Sequence, residues 1–308
     1  MIVATEDQVG AFERSAALML DLHRVMKVHD PDGEEADRIR DAITSPWHEM
    51  SAAEQDLVRG LSADLYKVGA DRVVQDEVPD AIAREVKHAQ AEQSAGAVLA
   101  LLRLHEHHLP PADVAFLRGV CWSDLGQLEV AITFLFEATR IVPESGRFEA
   151  VLLSTLVRAG RVGEAQRRVE MNANTTGNDP ARILASAQVL FVAAGENDLA
   201  DPAANYKAAI DAAERGLELV GADPDDLLKT LAVAAYLHCS LTYDALRLRE
   251  RAIASCRAAL QLDPDSEDAL LILGWLNYDD FPDSERNAFR LVRQRQLAAK
   301  PLGIRLAA

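Results

Sequence analysis

The sequence predicts an all-α protein in which antiparallel helix pairs stack into a superhelical solenoid behind an N-terminal helical cap. Three observations predict this fold class. No run of alternating β-branched residues, the usual mark of a half-buried strand, occurs in the chain. Aromatic residues make up only 5% of the chain, whereas Ala and Leu are abundant, which suits closely packed helices. Small residues and turn residues also recur with fixed gaps along much of the chain.

Residues 1–77 show no internal period, and we expect them to form three or four helices that cap the first repeat. The clearest helix start is at Ser51, because Ser51 and Glu54 have the spacing of a capping box. Trp47 supplies an apolar side chain for packing against the repeats. Residues 78–111 are interpreted as a degenerate first repeat with its turn at Gly96 and Ala97.

Residues 112–145 carry the clearest helix pair. Gly126, Ala131, Ala138 and Pro143 follow one another with gaps of five, seven and five residues. Gly126 turns the chain between two helices, and Pro143 ends the second one. Residues seven apart lie on one face of a helix, and small side chains there let two helices approach closely. Since one such pair cannot bury its apolar face alone, neighbouring pairs must stack.

The next repeats are predicted at residues 146–179, 180–223 and 224–266. Ala165 lies 34 residues after Ala131, whereas Ala209 lies 44 residues after Ala165. The two longer repeats therefore contain insertions, one at residues 195–202 and one near residues 241–249 that lengthens helices. Helix starts are predicted where an aspartate precedes a proline, as a good N-cap followed by a good first helical residue: Asp30-Pro31, Asp179-Pro180, Asp201-Pro202 and Asp223-Pro224.

Residues 267–308 are predicted to form the terminal repeat and a basic C-terminal helix. Six bases and one acid, Glu285, occur after residue 283. One interpretation is a solvated helix face, and the other is a docking site for an acidic partner or a second copy of the chain. The basic C-terminal patch consists of Arg286, Arg290, Arg293 and Arg295.

The patterns in residues 115–143 and 249–278 resemble those of the tetratricopeptide repeat (TPR) family. The resemblance covers roughly residues 112–300 and implies that the first helix of each pair lines a concave, partner-binding face. Members that grip a C-terminal carboxylate use several Lys, Arg and Asn residues there, whereas this chain offers Arg158 alone. The expected face is Phe116, Val120, Asp124, Ser154, Arg158, Gln188, Phe191, Ala232, Tyr236, Trp275 and Tyr278. The alternative for each of these side chains is a core position.

Two segments resemble metal sites, and both lack the ligands that such sites need. The segment from Asp30 to Glu35 resembles a calcium loop, but Ile39 stands where the bidentate glutamate should be. His105 and His108 share a helix face, but Leu109 occupies the place of the second zincin histidine. Phosphate loops and nucleophile elbows are absent from the sequence. We therefore expect no metal, no cofactor and no catalytic residue.

Charge and hydropathy exclude two classes of partner. The formal net charge of −17 repels phosphates, so we expect no nucleic acid partner. No stretch of 18 apolar residues occurs, so we expect no membrane partner, and the acidic N-terminus is not that of a signal peptide. A cytoplasmic location is expected. The odd number of cysteines suggests small buried side chains rather than a disulfide framework: Cys121, Cys239 and Cys256.

Three functions remain open from the sequence. The first is a non-catalytic scaffold that binds a peptide or protein segment along the solenoid groove, which is an inference from fold. An enzyme or enzyme subunit is the second, with a site in residues 1–77 near Trp47 and His48 and with repeats that recruit substrate. The third is a homo-oligomer that assembles through its basic C-terminal helix.

Overall fold

A computed structural model describes residues 10–28, 33–69, 80–92, 94–172, 177–196 and 202–277. Throughout these ranges the regular structure is helical and no strand occurs, which confirms the predicted all-α class. The chain forms two compact units, Met1–Ala159 (unit 1) and Gly160–Ala308 (unit 2). The predicted boundary between cap and repeats, after residue 77, falls inside unit 1.

Unit 1 contains eight described α-helices and one short 3-10 helix, which follows α5 at Glu106–His108. The α-helices are α1 (Ala11–Val28), α2 (Glu34–Glu49), α3 (Ala52–Leu65), α4 (Asp80–Ala91), α5 (Ala95–His105), α6 (Pro111–Asp124), α7 (Leu128–Ile141) and α8 (Gly146–Arg158).

The N-terminal helices share one apolar core with the helix pair α6–α7. The predicted capping box is present, because the Ser51 hydroxyl accepts from the Glu54 amide and the Glu54 carboxylate accepts from the Ser51 amide. Leu20 of α1, Leu61 of α3 and Trp122 of α6 are all buried in the same cluster. Burial of these large side chains ties the cap to the first clear repeat.

The turn between α4 and α5 differs from the prediction. Gly96 lies inside α5, and the helix begins after Ser94, whose hydroxyl accepts a hydrogen bond from the Ala97 amide at 3.4 Å. A serine side chain can satisfy a free amide at a helix start, which a glycine cannot do. Ser94 therefore sets the boundary that had been expected at Gly96.

The pair α6–α7 confirms the spacing argument. Gly126 has φ of 77°, the left-handed conformation that glycine adopts without strain, and Gly160 has φ of 73°. Ala131 is fully buried, and a Cβ atom on Gly119 would lie 3.3 Å from its carbonyl oxygen and 2.6 Å from Cγ of Leu135. The two helices therefore touch through small residues, as predicted.

Unit 2 contains six described α-helices. They are α9 (Val162–Asn172), α10 (Pro180–Glu196), α11 (Pro202–Glu218), α12 (Asp226–Ala245), α13 (Arg249–Leu262) and α14 (Glu267–Asn277). α10 and α11 each have 17 residues and α12 has 20, against 14 in α6 and α7. Much of the extra sequence in the two long repeats thus lengthens helices.

Two of the aspartate caps predicted in unit 2, Asp179 and Asp223, lie among the described residues, and the first of them is confirmed. The Asp179 carboxylate accepts from the Arg182 amide at 2.9 Å, as expected of an N-cap. α12 begins two residues later than Asp223-Pro224 predicted, because Asp225 supplies the capping carboxylate to the Leu228 amide at 2.8 Å. Cys121 of unit 1, and Cys239 and Cys256 of unit 2, are buried and unbridged, which confirms the prediction for them.

Arg247, in the turn between α12 and α13, holds the place that Gly126 holds between α6 and α7. Its φ is 62°, and it is the non-glycine residue with positive φ among the described residues. Each of these two residues lies two positions before the helix that follows. A residue with a Cβ atom pays a steric cost in this conformation that glycine avoids.

Replacing Arg247 with glycine is therefore expected to stabilise unit 2 by about 1 kcal/mol, since the left-handed conformation costs a non-glycine residue about 1–2 kcal/mol and glycine loses some of that gain in entropy. Urea denaturation measures the change. Gly126→Ala is the matched reverse substitution and should destabilise unit 1. Equal or lower stability of Arg247→Gly would show that this turn is not strained by its arginine.

Candidate partner-binding faces and a buried ionic cluster

The predicted face in unit 1 lies along α6 and α8. Val120 and Ser154 are half-buried there, while Asp124 and Arg158 are exposed. Arg158 donates to the Ser123 hydroxyl at 2.8 Å, which holds α8 against the end of α6. Partial burial raises the pKa of Asp124, and the Arg158 guanidinium opposes that rise. The structure thus places Asp124 and Arg158 close together at one end of a candidate face.

The structure buries Phe116, which was predicted to line the open face. Its ring stacks on Phe148 with centroids 4.7 Å apart, and only 6% of the residue is exposed. The side chain is core in the free protein, because the first helices of adjacent pairs pack against each other through it. It therefore does not line an open groove.

Arg147 belongs to the same face and was missed from the sequence. Its guanidinium lies 5.4 Å from the centroid of the Phe116 ring, a cation–π arrangement. Arg147 also opposes the rise that partial burial causes in the pKa of Asp113. The helical spacing from Arg147 to Ser154 and Arg158 was the available signal, since seven and eleven residues return to one helix face.

We define the α6–α8 face as Asp113, Val120, Asp124, Arg147 and Arg158. An acid and a base interact at each end, Asp113 with Arg147 and Asp124 with Arg158. Half-buried Val120 lies between the two ends on α6. The face therefore presents one half-buried apolar side chain, Val120, between two regions of mixed charge.

In unit 2 the predicted face residues divide between core and surface. Phe191 is 4% exposed and stacks on His238 with centroids 5.2 Å apart, and Ala232 is fully buried. Both are core, which corrects their prediction as open groove residues. Gln188 and Tyr236 are half-buried, and Trp275 is 70% exposed. Tyr278 and the basic C-terminal residues lie outside the described residues: Arg286, Arg290, Arg293 and Arg295.

A buried ionic cluster in unit 1 is a feature that the sequence did not predict. We define it as Asp64, Lys67, Arg103, Glu106 and Arg118. The Asp64 carboxylate lies 3.0 Å from the Arg103 guanidinium and 2.6 Å from that of Arg118. Glu106 pairs with Arg118 at 2.9 Å and also with Lys67. The cluster joins α3 and α5 to α6, and so joins the cap to the first clear helix pair.

Burial and pairing act in opposite directions on the two acids of the cluster. Asp64 is fully buried, and this burial raises its pKa although Arg118 and Arg103 favour the charged form. Burial also raises the pKa of Glu106, but hydrogen bonds from Lys67 and Arg118 outweigh it and leave the pKa lowered. Both carboxylates are paired with cationic side chains, as buried charged groups in proteins generally are.

A cavity of about 20 Å³ lies beside the cluster, lined on its polar side by Asp64, Lys67, Arg118 and Glu137. It has room for about one water molecule, and ligand pockets are on the order of ten times larger. Trp47 and His48 do not line it. The Trp47 ring instead lies under the Arg59 guanidinium, at 5.0 Å, and the Trp47 carbonyl accepts a hydrogen bond from the side-chain amide of Gln55.

Metal clusters and membrane-spanning helices are two further features to consider in the described residues. Within these ranges no group of three His, Cys, Asp or Glu residues is arranged to hold a metal ion. Across the same residues, no helix is both long enough and apolar enough to cross a membrane.

No protein-family model matches the sequence, and neither does any curated protein sequence. Solved structures do resemble it. A thermophilic TPR protein from Thermus thermophilus, TTC0263, shares 17% identity over 62% of this chain and 93% of its own, with a TM-score of 0.47. MamA from Desulfovibrio magneticus RS-1 shares 18% identity over 63% of this chain and 99% of its own, with a TM-score of 0.42.

The TPR domain of P58(IPK) is a third similar structure, at 14% identity over 94% of this chain and 81% of its own, with a TM-score of 0.32. In this chain the helix pairs themselves carry the features of the tetratricopeptide repeat: a helix–turn–helix unit, a spacing of 34 residues from Ala131 to Ala165, and a left-handed turn at Gly126. The chain has a TPR-like fold.

Proposed function

We propose that the chain is a non-catalytic scaffold that binds a peptide or protein segment on the α6–α8 face. The observation that carries this proposal is the half-buried Val120 side chain between two exposed pairs of opposite charge, Asp113 with Arg147 and Asp124 with Arg158. Asp113 and Asp124 are exposed acids at the two ends of the face, so a cation from a partner can pair with each of them. The face therefore suits an amphipathic segment with basic flanks.

The binding face has a limited apolar area in the free protein. Phe116 is packed in the core, so the partner contacts Val120 and the aliphatic parts of Arg147 and Arg158 rather than an open aromatic groove. Small apolar contacts with charged ends favour moderate affinity, and a salt-dependent association rate.

Affinity capture from the native cell tests the proposal through a pair of variants. Asp113→Lys combined with Asp124→Lys reverses both acids of the α6–α8 face, and partner recovery is expected to fall about tenfold or more, which is a loss of at least about 1.4 kcal/mol. Glu35→Lys combined with Glu34→Lys is the control, since it makes the same charge change on exposed positions of α2. Quantitative mass spectrometry compares the three captures.

The test compares partner recovery between the two double variants. If a partner is recovered equally with both double variants, the α6–α8 face does not bind it. Circular dichroism of each variant, which should match that of the unchanged protein, shows whether the fold has been kept.

A further inference from the structure

The cavity beside the ionic cluster is lined by groups whose hydrogen bonding is incomplete. Nε of Arg118 has no hydrogen-bond partner among the described residues, although only 2% of this side chain is exposed. Oδ1 of Asp64 lies 2.6 Å from Nη2 of the same arginine, yet the contact is too poorly aligned to be a hydrogen bond. Asp64 and Arg118 both line the same small cavity.

The other polar groups of the cavity already have partners. Lys67 is bound to Glu106, while the Glu137 carboxylate accepts from the Gly69 amide at 3.0 Å and from Arg140 at 2.8 Å. Arg118 and Asp64 are the lining residues that have a buried side-chain atom without a hydrogen-bond partner among the described residues. Buried polar groups of this kind are satisfied by protein or by ordered water in nearly all proteins.

We propose that the cavity binds one water molecule, which accepts from Nε of Arg118 and donates to Oδ1 of Asp64. Three properties of the site select water. The volume of about 20 Å³ holds about one molecule of that size. A cation would meet Arg118 and Lys67, whereas an anion would meet Asp64 and Glu137. A neutral molecule that both donates and accepts hydrogen bonds is repelled neither by the cationic nor by the anionic side chains.

The bound water extends the ionic cluster. Arg118 then uses Nη2 for the two carboxylates and Nε for the water. The water thereby becomes part of the contact between α3 and α6, the junction of cap and repeat.

A crystal structure of the full chain, grown in bromide instead of chloride, tests the proposal. The expected result is a single peak within hydrogen-bond distance of Nε of Arg118 and Oδ1 of Asp64, without anomalous signal at the bromine edge. An anomalous peak at this position would identify an anion site, and a cavity without density would be dry. Either of these two results overturns the proposal.

Nuclear magnetic resonance provides the second measurement, in solution. The Hε proton of Arg118 should show a water cross-peak with the sign of a long-lived complex. Arg103 is the internal control, because its Nε donates directly to Oδ2 of Asp64 at 3.0 Å and its Hε should show no such peak. Equal signals, or none at Arg118, would contradict a bound water at this place.

Discussion

Replacing Asp64 with alanine is expected to destabilise unit 1 by about 3–5 kcal/mol, which is the cost of removing one partner from a buried ion pair. Asp64 is fully buried and contacts the guanidinium groups of Arg103 and Arg118. Its loss leaves two cations facing each other without their shared anion, and Arg118 is itself 1% exposed. Urea denaturation, followed by circular dichroism, measures the change in the free energy of unfolding.

A double-mutant cycle separates the loss of the ion pair from the loss of packing. Asp64→Leu combined with Arg118→Met removes both charges from the interior, so the double variant is expected to be more stable than the sum of the two single changes predicts. Glu106 and Arg103 keep partners or solvent access in that variant, through Lys67 for Glu106 and through partial exposure for Arg103. Additive effects, or a cost of Asp64→Ala below about 0.5 kcal/mol as at surface sites, would contradict the cluster.

Replacing Ala252 with glutamate is expected to cause the second large loss of stability. Ala252 is fully buried in α13, and its carbonyl accepts from the Ser240 hydroxyl of α12 at 2.9 Å, so the two helices are in close contact there. Leucine at this position should cost about 1–3 kcal/mol through overpacking, and glutamate more, because it also buries a charge. Urea denaturation gives the magnitude.

Ala254→Glu is the matched control for this prediction. Ala254 lies two residues further along the same helix and is exposed, so glutamate there should leave stability unchanged within about 0.5 kcal/mol. Ala131→Glu should repeat the large effect in unit 1, since Ala131 is equally buried against α6. If Ala252→Glu and Ala254→Glu had equal effects, the assignment of the helix faces would be wrong.

The helix pairs could be predicted because their determinants are local. Gly126 and Gly160 mark turns that require positive φ, and Ala131 marks a face where helices touch. Each of these residues has one steric reason to be small. Arg247 occupies an equivalent turn, but an arginine carries no such signal, so its left-handed conformation could not be predicted.

The ionic cluster could not be predicted because its members are far apart in the chain. Asp64 and Arg103 are 39 residues apart, and pairing between such residues depends on how the helices pack. One signal was present, since Arg118 stands inside the apolar run of α6 between Leu117 and Gly119. A charge within a buried helix requires a partner, but the sequence does not say which one.

The candidate face could be predicted only in part. Register along the helices puts Val120 and Asp124 on one side of α6, at a spacing of four residues, and their role in binding stays a prediction. Phe191 and Ala232 were predicted on the same basis and are buried, because neighbouring first helices also pack against each other, as the stacking of Phe191 on His238 shows. Periodicity identifies which residues share one side of a helix. It does not show which of them pack against a neighbouring helix and which remain open to a binding partner.

Hydrogen exchange of the full chain, with and without the captured partner, tests the scaffold proposal most directly. The proposal predicts slower exchange in α6 and α8 when the partner is bound, with α2 unchanged, because binding protects the backbone of the contacted helices. The same comparison with Asp113→Lys combined with Asp124→Lys should show no such protection. Protection confined to α2 or to other helices, with α6 and α8 exchanging as in the free protein, would contradict the proposed binding face.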